Sequence, residues 1–345
     1  MKALITGAYG FIGRNLLNRL LYLDEFDEIV LVSRKPRAKI THPEKTIKQY
    51  VLNLGDLHDD EGVKMTPRAS PKNEPKMMPA SSTTFYKRTS GGDDLKVAAM
   101  LHDEKPDVIF HLAGNPTVKT DESNPHQILA DNITSTHQLA YYCPEGCKII
   151  LASSVIVYGN WLYDEIGLSP YDENHKTSPI SVYGATKRAS ESILDSYAHT
   201  GKIEAIHARM CATVGAGLTH GVIFDFIRKI RSRDPYLFAL GDEPGSFKPY
   251  CHIRDVINAL AMLATSGVSG AYNIVPDDYI SITEVAKSVM EGTGIQKPIK
   301  WMGSKANWKG DNKYLICSNE KLKKLGWKLK FPNSYDAILD VVGNS

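Results

Sequence analysis

Tyr183 and Lys187 stand four residues apart in Tyr183-Gly184-Ala185-Thr186-Lys187, a spacing that puts both on one face of a helix. An ammonium beside a phenol favours the phenolate, so Lys187 is expected to lower a pKa ordinarily near 10 toward the working range of a proton-transfer catalyst. Tyr183 could then act as acid or base on a hydroxyl or carbonyl. Upstream, Ser153-Ser154-Val155-Ile156-Val157-Tyr158-Gly159 closes an apolar run, and Ser154 at its end is placed to hydrogen-bond the same substrate oxygen. A Tyr-x-x-x-Lys spacing alone is a common accident of helical surfaces, so its meaning depends on what accompanies it.

What accompanies it is Gly7-Ala8-Tyr9-Gly10-Phe11-Ile12-Gly13, between an apolar run and a helical pattern. This is the context of a dinucleotide-binding turn. The first glycine permits the tight turn and the second lets backbone approach a pyrophosphate. The third lets the helix pack closely on the strand with its N-terminus toward the phosphates. Gly7, Gly10, Phe11, Ile12 and Gly13 are therefore expected to hold a cofactor. A carboxylate that would bind a ribose 2′-hydroxyl belongs at the end of the second strand. The chain has Ser33-Arg34-Lys35-Pro36-Arg37 there. Arg34 can grip a 2′-phosphate with its fork, which favours NADP over NAD. Asp56-Leu57, after the third expected strand, would lie near the adenine.

Positioning these groups takes alternating strands and helices. Lys2 to Thr6 reads as a strand, with Phe11, Ile12, Leu16, Leu17 and Leu20 at helical spacing behind it. Further runs at Glu28 to Ser33, Tyr50 to Leu52, Asp107 to Leu112, Lys148 to Ser153 and Ile203 to Ala208 continue the series. Amphipathic stretches fill the gaps, among them Ile128 to Tyr142 and Ala185 to Tyr197. Such alternation predicts an α/β fold, a doubly wound parallel sheet of Rossmann type. Beyond Met210 glycine and proline become denser and the helices less regular, which predicts a smaller mixed C-terminal substrate domain. We expect a cofactor domain over 1–209 and a substrate domain over 210–345, with part of 250–272 returning to the first. An insert at 63–92 carries Pro67, Pro71, Pro75 and Pro79 and a net charge of +5, and is expected to be a loop.

The whole chain of 345 residues has 41 basic and 39 acidic side chains. That balance gives nucleic-acid binding no support. No apolar run approaches the roughly 18 residues of a membrane-spanning helix, and the first residues lack a long apolar signal region. The expectation is a soluble, cytoplasmic protein with no membrane partner. Five cysteines are too few and too scattered for a disulfide framework. Cys143 and Cys147 lack a second ligand pair, so they read as buried thiols and no metal is expected. His111 and His252 read as satisfied core histidines, and Trp301 as packing.

Taken together, the glycine turn, Gly55-Asp56-Leu57, His111-Leu112-Ala113-Gly114, Ser154 with Val157-Tyr158-Gly159, and Tyr183 with Lys187 resemble the extended short-chain dehydrogenase/reductases, in particular the sugar-nucleotide epimerase/dehydratase group. Ser178-Pro179, Leu240-Gly241-Asp242 and Tyr250 to Val256 are similar to that group's substrate-side landmarks. The resemblance implies that Ser154, Tyr183 and Lys187 are catalytic. It also implies that Asp56, Leu57, Leu112, Ala113, Gly114 and Asn132 join the glycine turn, Ser33 and Arg34 around the cofactor, with Tyr183 and Lys187 reaching its nicotinamide end. Ser154, Val155, Lys248 and Trp308 would touch substrate, and a homodimer is implied by analogy. Departures narrow the reaction. Dehydratases of the group carry Asp-Glu where this chain has Val155-Ile156, so the groups for water elimination are missing. Ala212 replaces an asparagine of the substrate site, and Lys248 replaces an arginine that grips a diphosphate. The leading expectation is an NAD(P)-dependent epimerase of a nucleotide-linked sugar. The alternative is an NADPH-dependent reductase of a keto-sugar or other carbonyl compound. A non-catalytic NADP-binding sensor is the third, although such proteins commonly lose the tyrosine or lysine that this chain keeps.

Overall fold

The computed structural model describes residues 1–54, 93–118, 124–160, 170–303 and 310–344. The insert 63–92, Asp56, Leu57 and Trp308 lie outside the described residues. The strands of the first half are Lys2–Thr6 (β1), Glu28–Ser33 (β2), Thr46–Val51 (β3), Val108–His111 (β4), Cys147–Ser154 (β5) and Ile203–Met210 (β6). Shorter ones follow at Ala212–Val214 (β7), Leu237–Ala239 (β8), Phe247–Lys248 (β9), Tyr250–His252 (β10), Gly270–Ile274 (β11), Ile280–Ser281 (β12) and Ile299–Trp301 (β13). The helices are Phe11–Leu20 (α1), Asp93–Glu104 (α2), Pro125–Leu129 (α3), Ser135–Tyr142 (α4), Val182–His199 (α5), Val222–Ile230 (α6), Ile253–Thr265 (α7), Ile282–Thr293 (α8), Glu320–Lys323 (α9) and Ser334–Gly343 (α10).

Seven strands form one sheet in the order β11-β6-β5-β4-β1-β2-β3, and all its neighbours are parallel. Side chains alternate across it, as the period of two requires. Ala3, Ile5, Ile29, Leu31, Val108 and Phe110 enter one core with Leu16, Leu17 and Leu20 of α1 and Val256, Leu260 and Leu263 of α7. Leu4, Val30, Val32, Ile109, Ile149 and Leu151 enter the other with Val97 and Leu101 of α2, Leu139 of α4 and Leu194 of α5. Both faces are covered, so these strands read as continuous apolar runs. The chain leaves β3 at the edge and re-enters at β4 on the far side of β1. That reversal opens a crevice at the carboxyl ends of β1 and β4, where doubly wound sheets bind ligands.

A third core lies beyond the sheet. Phe226 and Ile230 of α6, Val285 and Val289 of α8, and Ile338 and Val341 of α10 pack together over the two-stranded pieces β7–β10, β8–β13 and β9–β12. Between them α7 and β11 belong to the main sheet and its cover. Asp255 of α7 is buried and accepts from the backbone of Lys330 (2.7 Å) and Phe331 (3.0 Å), which ties the C-terminal segment to that helix. The 63-residue separation of Lys248 from Asp311 is closed by an ion pair in this region.

Two elements depart from the sequence expectation. β3 starts at Thr46 rather than Tyr50. It is an edge strand with only partial burial, placed by its register with β2 rather than by apolar content. The stretch Ile128 to Tyr142 is not one regular helix: it widens into a π-turn over Ala130–Thr134. There the hydroxyls of Ser135 and Thr136 donate to the carbonyls of Asp131 and Asn132 (2.6 Å each). Hydroxyl bonds of this kind distort a helix, and π-turns are frequent at functional sites.

Candidate active site

At the end of β1, Gly7 has φ of +67°. A β-carbon on it would lie 2.8 Å from the Ala113 nitrogen, so the turn and the segment after β4 are in direct backbone contact. On Gly13 a β-carbon would lie 2.2 Å from the Gly7 carbonyl, which leaves glycine as the residue that lets α1 meet the turn. Gly10 caps α1 without a side chain, and no acidic residue occupies the first turn. The opening N–H groups of α1 lack helical acceptors and carry the positive end of its dipole. This cradle fits a dinucleotide pyrophosphate.

The cradle opens into a cleft of about 790 Å³. Gly7 and Gly10 form its floor, Leu112, Ala113 and Gly114 one wall, and Ser33, Arg34, Lys35 and Arg37 its far end. Among the described lining residues Asp131 alone is acidic. Its carboxylate accepts from the Gln127 amide (2.8 Å) and lies 3.4 Å from the Arg34 guanidinium. Gln127, Asp131, Lys35 and Arg37 were not among the sequence-expected contacts. A π-turn leaves no mark in hydrophobic periodicity, although the adjacency of Asp131 to Asn132 was a usable signal.

The inner end of the cleft meets the catalytic candidates. Ser181 caps α5 by accepting from the Gly184 N–H (3.1 Å). Gly184 lets the helix start close to its neighbours, since a β-carbon there would stand 2.9 Å from Pro179 Cβ and 3.0 Å from Ile156 Cγ2. Tyr183 lies in the first turn of α5 and Lys187 one turn later. The Lys187 side chain is 5% exposed, with Nζ 5.7 Å from the Tyr183 ring centroid. That nitrogen would be 3.3 Å from a β-carbon on Gly114, so the ammonium reaches the cleft wall. Ser154 ends β5 and caps the short 3₁₀ turn Val155–Tyr158 by accepting from the Ile156 N–H (3.3 Å). Asn132 accepts from the Asn115 N–H (2.7 Å) and donates to the Thr186 hydroxyl (2.9 Å), which braces the π-turn against α5 beside Lys187.

Electrostatics correct the sequence expectation for the phenol. Burial pushes Tyr183 up to about 12, with a hydrogen bond to Ser154 pulling the other way. Burial pulls Lys187 down to about 8, opposed by the negative charge of Glu191. Burial sets this direction against the Ser154 hydrogen bond, and the Lys187 ammonium is not among its causes. Tyr183 therefore holds its proton at neutral pH in the chain by itself. His111 is held neutral, at about 3, by burial and then by Lys187. Its ring contacts the hydroxyls of Thr6 (2.9 Å) and Thr136 (3.1 Å), a satisfied core histidine. His252 is likewise satisfied, paired with Asp340 at 3.1 Å and accepting from the Arg254 N–H.

The expected substrate contacts fare differently. Val155 is 1% exposed and packs with Val157, Tyr158, Tyr171 and Val275, so its side chain serves the core rather than the cleft. Lys248 is half-buried and paired with Asp311. Trp301 is partly buried against the third core. Cys143 and Cys147 are buried thiols.

Fold and site together define an α/β protein with a glycine-floored cleft of dinucleotide-binding type and a Ser/Tyr/Lys cluster whose lysine reaches the cleft wall at Gly114. Residues 3–275 match the NAD dependent epimerase/dehydratase family, and the chain belongs to that family. It is 27% identical over 300 residues to the uncharacterized UDP-glucose epimerase YtcB of Bacillus subtilis, covering 85% of this chain and 83% of that protein. It is 26% identical over 333 residues to a trifunctional UDP-glucose 4,6-dehydratase, epimerase and reductase of Arabidopsis thaliana, covering 94% of this chain and 44% of that longer protein. Among solved structures, a UDP-galactose 4-epimerase is similar with a TM-score of 0.73 and 25% identity, covering 100% of this chain and 98% of that one. The UDP-glucose 4-epimerase of Thermus thermophilus in complex with NAD shares the fold at a TM-score of 0.75 and 21% identity, each chain covered to 99%.

Proposed function

We propose that this chain is an NAD(P)-dependent epimerase of a nucleotide-linked sugar. The observation that carries the reading is that Lys187 reaches the wall of the glycine-floored cleft at Gly114 from the same helix as Tyr183, which is hydrogen-bonded to Ser154, while Val155-Ile156 supplies no acid and base for elimination. Relatives that are UDP-sugar epimerases support the substrate class. Gly7, Gly10, Phe11, Ile12 and Gly13 would hold the pyrophosphate, and Leu112, Ala113 and Gly114 would flank the nicotinamide half. Ser33 ends β2 and Arg34 follows it beside Lys35 and Arg37, three cations against the single carboxylate of Asp131 among the described lining residues, so a 2′-phosphate is the better partner there and NADP the preferred cofactor. When bound, the cofactor supplies a ring that takes up and returns hydride and, in its oxidised form, a positive charge.

The residues of the chain handle the proton and the orientation. Ser154 presents its hydroxyl to the reacting oxygen and shares that oxygen with Tyr183. Tyr183 donates its proton to a carbonyl readily, because burial keeps the phenol protonated. Accepting a proton from a sugar hydroxyl is the harder direction and draws on added positive charge in the cleft. Lys187, an ammonium at neutral pH, contributes part of that charge and lies beside the wall of the cleft at Gly114. Asn132 and Thr186 keep the helix that carries both residues seated against the π-turn.

A second reading is favoured by one observation. A phenol that keeps its proton, next to a cleft suited to a 2′-phosphate, is the arrangement of an NADPH-dependent carbonyl reductase. The two separate on stoichiometry. Purified protein is incubated with UDP-hexoses, UDP-hexuronates and a UDP-keto-sugar, once with a trace of NADP or NAD and once with stoichiometric NADPH or NADH, and products are read by NMR. The epimerase reading predicts product far in excess of cofactor with no net change in its redox state. Reduced cofactor consumed mole for mole with product overturns it in favour of the reductase.

A further inference from the structure

Tyr183, Lys187 and Glu191 recur every fourth residue along α5, so one helical stripe carries all three, with Lys187 and Glu191 buried. Glu191 is fully buried. Its carboxylate accepts from the Ser153 hydroxyl (2.6 Å), from Arg209 Nε (2.9 Å) and from Arg209 Nη2 (2.8 Å), a two-pronged clasp. Ser153 and Arg209 are directly paired neighbours in the β5–β6 register. Ser153 also immediately precedes Ser154. One carboxylate thus fastens the helix bearing Tyr183 and Lys187 to the strand bearing Ser154, one residue from the reacting hydroxyl.

We propose that Glu191 is a positioning residue of the Ser154/Tyr183/Lys187 site: clasped by Ser153 and Arg209, it sets the seat of α5 on β5 and is the stationary negative charge one helical turn behind the Lys187 ammonium. The proposal rests on the catalytic reading of that trio. The groups around Lys187 leave Glu191 as its counter-charge. Tyr183 and His111 are neutral. Arg209 is a cation already engaged by Glu191 and by the Tyr158 hydroxyl (2.9 Å). Arg188 approaches Glu191 at 3.5 Å from the exposed side of α5, and His207 beyond it is bonded to Asp195. Burial works against the Lys187 charge, and Glu191 opposes that effect. A clasped carboxylate cannot swing away, so its field is constant whatever enters the cleft.

The test reads Lys187 itself. Glu191→Gln alone leaves Arg209 buried without a carboxylate, which threatens folding. The working variant is therefore Glu191→Gln/Arg209→Met, which removes both charges together. The cofactor-free chain is labelled with ¹³C-lysine and titrated by NMR, with Lys187 assigned by its loss in Lys187→Met. The expected result is a lower Lys187 midpoint in the double variant, by less than about one pH unit because loss of the Arg209 cation offsets part of the loss of the carboxylate, with Glu191→Asp, which withdraws the charge by one methylene and keeps Arg209, also lowering it. The alkaline limb of kcat/KM moves down by the same amount. An unchanged or raised midpoint in either folded variant overturns the proposal and leaves Glu191 a structural ion pair. Because the titration needs no turnover, it stands apart from the catalytic reading, which fails instead if Lys187→Met folds and keeps full activity.

Discussion

Two arginine–carboxylate pairs mark the two ends of the site, and they are built differently. At the far end of the cofactor cleft, Arg34 faces Asp131 at 3.4 Å with most of the guanidinium in solvent. Behind Ser154, Tyr183 and Lys187, Arg209 grips Glu191 through two bonds of 2.8 and 2.9 Å with both groups buried. The Arg34–Asp131 pair is half-exposed, with Asp131 buried and Arg34 screened by water on its open side, so Arg34 can exchange Asp131 for a ligand phosphate. The buried pair cannot exchange partners without leaving a charge stranded. The cleft rim is thus adjustable and the buried seat of α5 is fixed, so ligand contacts can change at one end while Ser154, Tyr183 and Lys187 stay in place at the other.

The contrast is broken first at the buried pair. Arg209→Ala strands Glu191 and is expected to lower unfolding stability by about 3–5 kcal/mol, read by urea denaturation. A loss within the range of an ordinary surface change removes the distinction between the pairs. Tyr183→Phe tests the fixed end chemically. It should cost about 10²–10⁴-fold in kcat while the rise in melting temperature on adding cofactor is retained. The pH profile sharpens the same point. Lys187 sits at about 8, below its ordinary value, and sheds its proton as pH rises through that value. kcat/KM should therefore fall on the alkaline side with an apparent pKa near 8.

Smaller effects are expected at the rim. Arg34→Ala should weaken NADP about tenfold and leave NAD nearly unchanged, measured by calorimetric titration of each. Asp131→Asn releases Arg34 from its partner and should strengthen NADP by only about two- to fivefold, an effect that shrinks with added salt. If Asp131→Asn instead weakens NADP, the carboxylate is holding Arg34 in its binding pose rather than competing for it.

Much of the frame was legible because its causes are local. The apolar run Lys2 to Thr6, the glycine triplet and the second run Glu28 to Ser33 specify a strand, a steric demand and a parallel neighbour within about thirty residues. The structure returns β1 and β2 with those bounds and meets the demand at Gly7 and Gly13. Tyr183 and Lys187 were legible for the same reason, a helical repeat. The partners of the charged residues were not. Glu191 and Arg209 lie 18 residues apart on a helix and a strand, and Lys248 and Asp311 lie 63 apart. No short pattern announces a contact of that kind. The protonation of Tyr183 is not legible in the sequence, because Lys187 is visible there whereas the burial that raises the phenol comes from the fold.

The central claim is that the Ser154/Tyr183/Lys187 site runs an internal, reversible oxidation of a nucleotide-linked sugar. It is tested most directly with a sugar nucleotide deuterated at the carbon that inverts. The account predicts product of opposite configuration with the deuterium retained at that carbon and none released to water or to the cofactor pool. Deuterium lost to solvent, or collected in free reduced cofactor in step with product, contradicts it.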